Sequence, residues 1–208
     1  DLKGKKIKSN IKQTLKVKIN KEKNQGCEAF GSCLITNVKN IESPQWLKDK
    51  LISIGQKPIS AIVDITNYVM LHTGQPLHAF DNKKIGKKIY VKFPSKRKRL
   101  KLLDGVSHEI SKDYLTISDE KGEIALAGIM GCANSEVDES TQEIFLESAC
   151  FEPASIRGNA RKLGFQSEAS LRFERGVDKE IQEYALNFAA QLYAEVFGGD
   201  FSKIFKQS

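Results

Sequence analysis

Four short stretches of this chain carry residue types that can do chemistry. In Gly74-Gln75-Pro76-Leu77-His78-Ala79-Phe80-Asp81 a turn presents one histidine, His78, between apolar neighbours. Such an imidazole can orient or deprotonate a water near neutral pH; the alternative is a structural histidine bonded to backbone. Gly128-Ile129-Met130-Gly131 follows an apolar run directly. Glycines there let backbone N–H groups approach a ligand, or make a tight turn. Glu147 interrupts the apolar stretch Ile144 to Phe151. On strict alternation it shares a face with Phe145 and Ala149, and a carboxylate among apolar groups is costly unless something hydrogen-bonds to it. It suits gripping a polar handle, such as a phenol hydroxyl, in an apolar pocket; the alternative is a solvent-facing glutamate on an edge strand. Lastly, Gly164 to Gly176 clusters Ser167, Ala169 and Ser170 among Arg172 and Arg175. That cluster reads as a pocket mouth facing phosphate or ribose, or as the start of a salt-bridged helix.

Familiar catalytic signatures are absent. The chain has no Gly-x-Ser-x-Gly elbow, Walker loop, His-Glu-x-x-His or Gly-x-Gly-x-x-Gly, which argues against an ordinary esterase, a nucleotidase, a zinc hydrolase or a dinucleotide enzyme. A hydrolase that works by positioning water is still compatible. Three histidines and four cysteines with no Cys-x-x-Cys spacing are poor material for a zinc site. Dispersed cysteines fit a reducing cytoplasm, where they act as small buried hydrophobes. The net charge of +7, from 33 basic and 26 acidic residues, gathers in Lys3 to Lys23 and Lys92 to Lys101. Such runs are solvated faces or polyanion contacts, and charge alone does not choose between RNA and DNA. No apolar run approaches the roughly 18 residues of a membrane span. The lysine-rich start lacks the apolar core of a secretory signal, and the missing initiator Met suggests a piece of something longer.

The elements that must position these residues are short. Leu15, Val17 and Ile19 alternate with lysines, as an edge strand does, and Phe30 to Val38 reads as a second strand. Ser43-Pro44 opens a helix with a capping hydroxyl, and Ile59 to Leu71 reads as a buried helix broken at Gly74. Strands follow at Ile89 to Phe93, Tyr114 to Ile117, Ile124 to Ile129 and Ile144 to Phe151. Leu100 to Ile110 reads as a hairpin with a primed turn at Asp104-Gly105. Pro153 to Gly164 reads as one helix, and Ile181 to Val196 carries a clear apolar stripe ended by Gly198-Gly199. The fold expected is α+β, with a mixed or antiparallel, barrel-like sheet core surrounded by helices.

Taken together, Pro58 to Met70, the His78 turn, Leu102-Leu103-Asp104-Gly105, Ala127 to Gly131, Leu146 to Ala149 and Ser170 to Asp178 closely resemble the B3/B4 region of bacterial phenylalanyl-tRNA synthetase beta subunits. The resemblance covers the chain from about Cys27 onward. It implies a lead-in over residues 1–25, a B3/B4 editing domain over 26–200 and a tail over 201–208. It also implies hydrolysis of mischarged Tyr-tRNA(Phe), with a non-catalytic structural or RNA-binding lobe of the same synthetase as the alternative. An apolar synthetic site rejects an isostere with one added hydroxyl poorly, whereas a second site can reward that hydroxyl with a hydrogen bond. The resemblance places His78 and Ser167 as catalytic groups, Glu147 against the phenol, and Gly131, Ala169 and Lys57 as further substrate-binding positions. It implies the acceptor end of tRNA(Phe) and a synthetase alpha subunit, in an alpha2-beta2 parent, as partners in the cytoplasm. ATP and magnesium belong to the parent and bind elsewhere, so no cofactor is expected here. Relatives commonly carry threonine at the position of Ser167 and often arginines where this chain has Ala29 and Cys33.

Overall fold

The computed structural model describes residues 7–19 and 26–208. Of the first basic stretch, Lys3, Lys5, Lys6, Lys21 and Lys23 lie outside the described residues. The long strands β2 (Cys27–Thr36) and β10 (Glu143–Phe151) pair antiparallel along nearly their whole length, and β3 (His78–Asp81) pairs with the far edge of β10. Alternation divides this sheet between two cores. Cys33, Ile35, Ala79, Ile144 and Leu146 face a cluster with α1 (Gln45–Ile52), α2 (Ala61–Thr73) and α6 (Gln182–Phe197). Phe30, Phe80, Phe145 and Ala149 face the other way, onto a second sheet.

That second sheet runs in the order β1 (Lys16–Ile19), β4 (Lys88–Lys92), β7 (Thr116–Ser118), β8 (Glu123–Leu126) and β9 (Met130–Gly131). β1 lies at its edge, as the alternating lysines require, and runs parallel to β4. A two-stranded unit, β5 (Lys98–Lys101) with β6 (Ser107–Ile110), completes the strands of the middle region. The fold class is the α+β expected, but the sheets stay open and stack, so the barrel-like closure is absent among the described residues.

Four local expectations are corrected. Residues 153–164 form two single-turn helices, α3 (Pro153–Ile156) and α4 (Asn159–Lys162), because Gly158 at φ +76° breaks the path between them. Ser43 does not cap α1; its hydroxyl donates to Asp64 at 2.5 Å. Asp64 is fully buried in α2 and also accepts the Ile59 N–H at 2.9 Å, so this internal carboxyl takes the hydroxyl from the helix end. The Asp104-Gly105 turn has positive φ at Gly105 alone, with the Gly105 N–H on the Leu102 carbonyl and the Leu102 N–H on that of Val106. That is a three-residue loop with glycine in the left-handed position, rather than a primed two-residue turn. Finally, β11 (Asp200–Phe201) and β12 (Phe205–Gln207) both pair with β2, and the Ser202 N–H donates to the Leu34 carbonyl, so residues read as a tail carry sheet hydrogen bonds.

Candidate functional site

Glu147 and His78 are directly opposed in the antiparallel β10–β3 register. Residues so paired project from the same face with Cβ atoms about 5 Å apart, here the face that carries Phe145 and Phe80. The alternation that was expected to set Glu147 among apolar groups therefore holds, and β10 is an interior strand. Glu147 is 5% exposed and has no hydrogen-bond partner among the described residues. Burial pushes its carboxyl up to about 8. Burial also lowers His78 to about 4, although its surface keeps some exposure. The imidazole stands edge-on to Phe80, ring centres 4.4 Å apart, and this packing removes water from around it. No ion pair or hydrogen bond joins the two groups among the described residues. Both are neutral at pH 7.

Glu147, His78, Gly131 and Ala169 line a chamber of about 70 Å³, with Ile117, Leu126 and Phe173 among its apolar walls. It shares His78, Gly131 and Ala169 with a wider cleft of about 1210 Å³. The outer cleft is bounded by α2 through Val63 and Asn67, by residues 136–140, by Leu103 and Asp104 at the hairpin tip, and by Ser167 and Glu168. A small, half-open chamber with an unpaired carboxyl in its wall, opening onto a wide and largely apolar cleft, can offer one hydrogen bond to a hydroxyl that reaches in while the bulk of the molecule carrying it stays in the cleft.

The turns around the chamber are tightly built. A Cβ at Gly131 would lie 2.7 Å from both Cε1 and Nε2 of His78; glycine is what lets β9 approach the imidazole. Gly128, at φ +68°, would put a Cβ 3.0 to 3.2 Å from Phe173, Phe151 and Ile156. Gln75, fully buried, donates from Nε2 to the carbonyls of Pro76 and Ala149 at 3.0 and 2.8 Å, which fixes the turn that delivers His78. The sequence gives no hint of that second partner on a distant strand. Asp81, at the other end of the same motif, accepts from the Thr141 hydroxyl at 2.8 Å and holds the 136–141 loop.

Of the other sequence-derived candidates, Ser167 lines the outer cleft but not the chamber. Its hydroxyl donates to the Ile129 carbonyl and accepts the Ser170 N–H, both at 3.0 Å, capping α5 (Glu168–Arg175) in a reciprocal box with Ser170. Such caps are worth about 1 kcal/mol, and this one ties α5 to the glycine turn. Lys57 is exposed; its neighbours Gln56 and Ile59 line the cleft, and Lys57 does not. All four cysteines are buried and unpaired. Burial raises Cys33 and Cys150 to about 11, Cys132 to about 12 and Cys27 further still, so none supplies a thiolate near neutral pH. Ala29 is buried with Cys33 in β2, and neither faces solvent. Among the described residues no group of three His, Cys, Asp or Glu side chains is placed to hold a metal ion, and no helix is long and apolar enough to cross a membrane.

Fold and site together define an α+β module of stacked sheets with an acid-and-imidazole chamber between a glycine turn and a helix cap. Comparison with known proteins narrows the class. A sequence model of the B3/4 domain matches residues 26–198, and the chain belongs to that family, in the form carried by phenylalanine–tRNA ligase beta subunits. The beta subunit from Desulfotalea psychrophila is 51% identical over 86% of this chain, and that from Dehalococcoides mccartyi 47% identical over 91%. The chain spans 22% and 23% of their respective lengths. Among solved structures, an N-terminal fragment of the phenylalanyl-tRNA synthetase beta subunit from Pyrococcus horikoshii aligns with 97% of this chain and 57% of its own. Its TM-score is 0.61 at 14% identity, a likeness of fold.

Proposed function

We propose that this domain edits mischarged tRNA, hydrolysing the ester of Tyr-tRNA(Phe) by attack of a positioned water. The observation that carries the reading is Glu147, a buried carboxyl without a hydrogen-bond partner among the described residues, in the wall of a small chamber that opens onto the wide cleft. A tyrosine side chain entering there brings the hydroxyl that satisfies it; a phenylalanine leaves it unpaired, at a cost of about 1–3 kcal/mol. The ester lies outside the chamber, near His78 and the turn ending at Gly131. With its pKa held near 4, His78 is a weak base at neutral pH. It orients the water through a hydrogen bond, and the turn backbone and a ribose hydroxyl of the substrate complete the arrangement. Ser167 supports this arrangement as a cap, with its proton committed to Ile129. The acceptor end of tRNA(Phe) is the macromolecular partner, the synthetase alpha subunit the partner in an alpha2-beta2 parent of the cytoplasm, and the ATP and magnesium chemistry of ligation belongs outside these residues.

The test is deacylation of Tyr-tRNA(Phe) and Phe-tRNA(Phe) by the chain. The tyrosyl ester is expected to disappear faster. Equal rates for the two, or binding without hydrolysis, would overturn editing and favour a structural lobe. Within the same assay Gly131→Ala is expected to lower the tyrosyl rate by about 100-fold, because its methyl group forces the imidazole aside and displacements near 1 Å cost that much. An unchanged rate would remove His78 from the water-positioning role.

A further inference from the structure

The β5–β6 hairpin has one face fastened to the body of the domain and one face free. On the fastened face, Lys98 Nζ donates to Glu123 at 2.6 Å, the Glu123 side chain being 5% exposed. Ile110 is fully buried, and the His108 ring meets Phe165 at 5.8 Å while hydrogen-bonding to Asp104 at 2.7 Å. The tip is fixed as well, since the Leu103 N–H donates to the Gly131 carbonyl at 3.1 Å, the residue that lines the chamber. The hairpin is therefore a rigid arm whose tip forms part of the cleft wall.

Alternation sends Arg99 and Lys101 to the free face, opposite Glu109 and Ser107. All four are exposed. Glu109 is taken by Arg97 at 3.5 Å, and Arg99 and Lys101 have no acidic partner among the described residues. Arg97, Lys98, Arg99, Ser107 and Glu109 line a shallow groove of about 440 Å³ at the start of the hairpin, and Lys101 lies beyond it toward the tip. Two unneutralised cations therefore run along a fixed strand that ends, two residues after Lys101, at the lip of the cleft. Resting on the editing reading above, we propose that this face is the track of the substrate's single-stranded 3′ end, with Arg99 and Lys101 binding the phosphates that precede the terminal adenosine and leading its ester over the hairpin tip.

The measurement is the affinity of the chain for unacylated tRNA(Phe) as a function of salt, for wild type and for Arg99→Gln/Lys101→Gln. Each single-strand phosphate contact contributes a slope of about 0.7 in log affinity against log salt. The double variant is expected to lose about 1.4 of that slope, twice the single-contact value, and to bind roughly tenfold more weakly at low salt. Its KM for Tyr-tRNA(Phe) is expected to rise in parallel, while its hydrolysis of a tyrosyl ester of adenosine, which has no upstream phosphates, stays at the wild-type rate. An unchanged slope overturns the proposal, as does wild-type chain that does not bind the tRNA. A fall of the same size in Lys16→Gln/Lys18→Gln, on the exposed edge strand β1, would show net charge at work and also overturn it. Failure of wild type to hydrolyse either ester would instead overturn the editing reading, and the binding slopes would still decide the track.

Discussion

Replacing Glu147 with alanine is expected to lower the preference for Tyr-tRNA(Phe) over Phe-tRNA(Phe) by up to about 100-fold, the upper end of the factor that corresponds to the roughly 1–3 kcal/mol of leaving a buried group unpaired. The direction follows from what each substrate leaves behind. With Glu147 present, phenylalanine strands a carboxyl that is 5% exposed and has no hydrogen-bond partner among the described residues. With alanine present, nothing is stranded, and the two side chains differ only in whether the phenol itself finds a partner. Most of the change should therefore appear as a faster phenylalanyl reaction together with a slower tyrosyl one, rather than as general loss of rate. Glu147→Gln keeps an acceptor and two donors at the same place, so its loss is expected to be about tenfold, between wild type and alanine. The check is the ratio of kcat/KM for the two esters in each variant. A ratio that stays at the wild-type value in Glu147→Ala would remove Glu147 from phenol recognition.

How far the site could be read from the sequence differs by residue. The placement of Glu147 follows from a period of two and an apolar strand, and the register with Phe145 and Ala149 bears it out. The pairing of that strand with His78 depends on two segments far apart in the chain, which no local pattern specifies. Ser167 shows the opposite problem. A hydroxyl beside a glycine-rich stretch serves equally as pocket wall or helix cap, and the structure commits it to capping through the Ile129 carbonyl. Lys57 is next to the cleft in sequence and outside its lining in space. The helix expected over 153–164 fails at Gly158, where periodicity carries no information about a left-handed residue. The α+β class with a mixed sheet core was legible from the order of the elements, whereas the two sheets staying open, with β1 and β3 each ending its own sheet, depends on edge pairings that no local pattern specifies.

The same two neutral groups that define the chamber also set an unusual dependence of stability on pH. In the unfolded chain Glu147 has an ordinary carboxyl pKa of 4.5, and in the fold it titrates near 8. Between those values the folded state holds a proton that the unfolded state has released, so this group's contribution to stability, complete below pH 4.5, is lost as pH rises toward 8. The slope is about 1.4 kcal/mol per pH unit. His78 works in the opposite sense. Its value falls from 6.5 to about 4 on folding, so between pH 4 and 6.5 the unfolded state holds the extra proton and stability rises with pH. The two slopes offset each other from about pH 4.5 to 6.5 and leave Glu147 alone above that. Wild type is thus expected to lose about 2 kcal/mol between pH 6.5 and 8 through this group. Glu147→Gln has no such group, so the difference in unfolding free energy between variant and wild type should grow in the variant's favour over that interval. Because the comparison is a difference, every other titrating group cancels from it. Urea unfolding of both proteins at pH 6.5, 7.25 and 8 provides the measurement. Parallel profiles would mean that the carboxyl is already ionised at neutral pH, and the neutral acid that the chamber offers to a phenol would have to be abandoned.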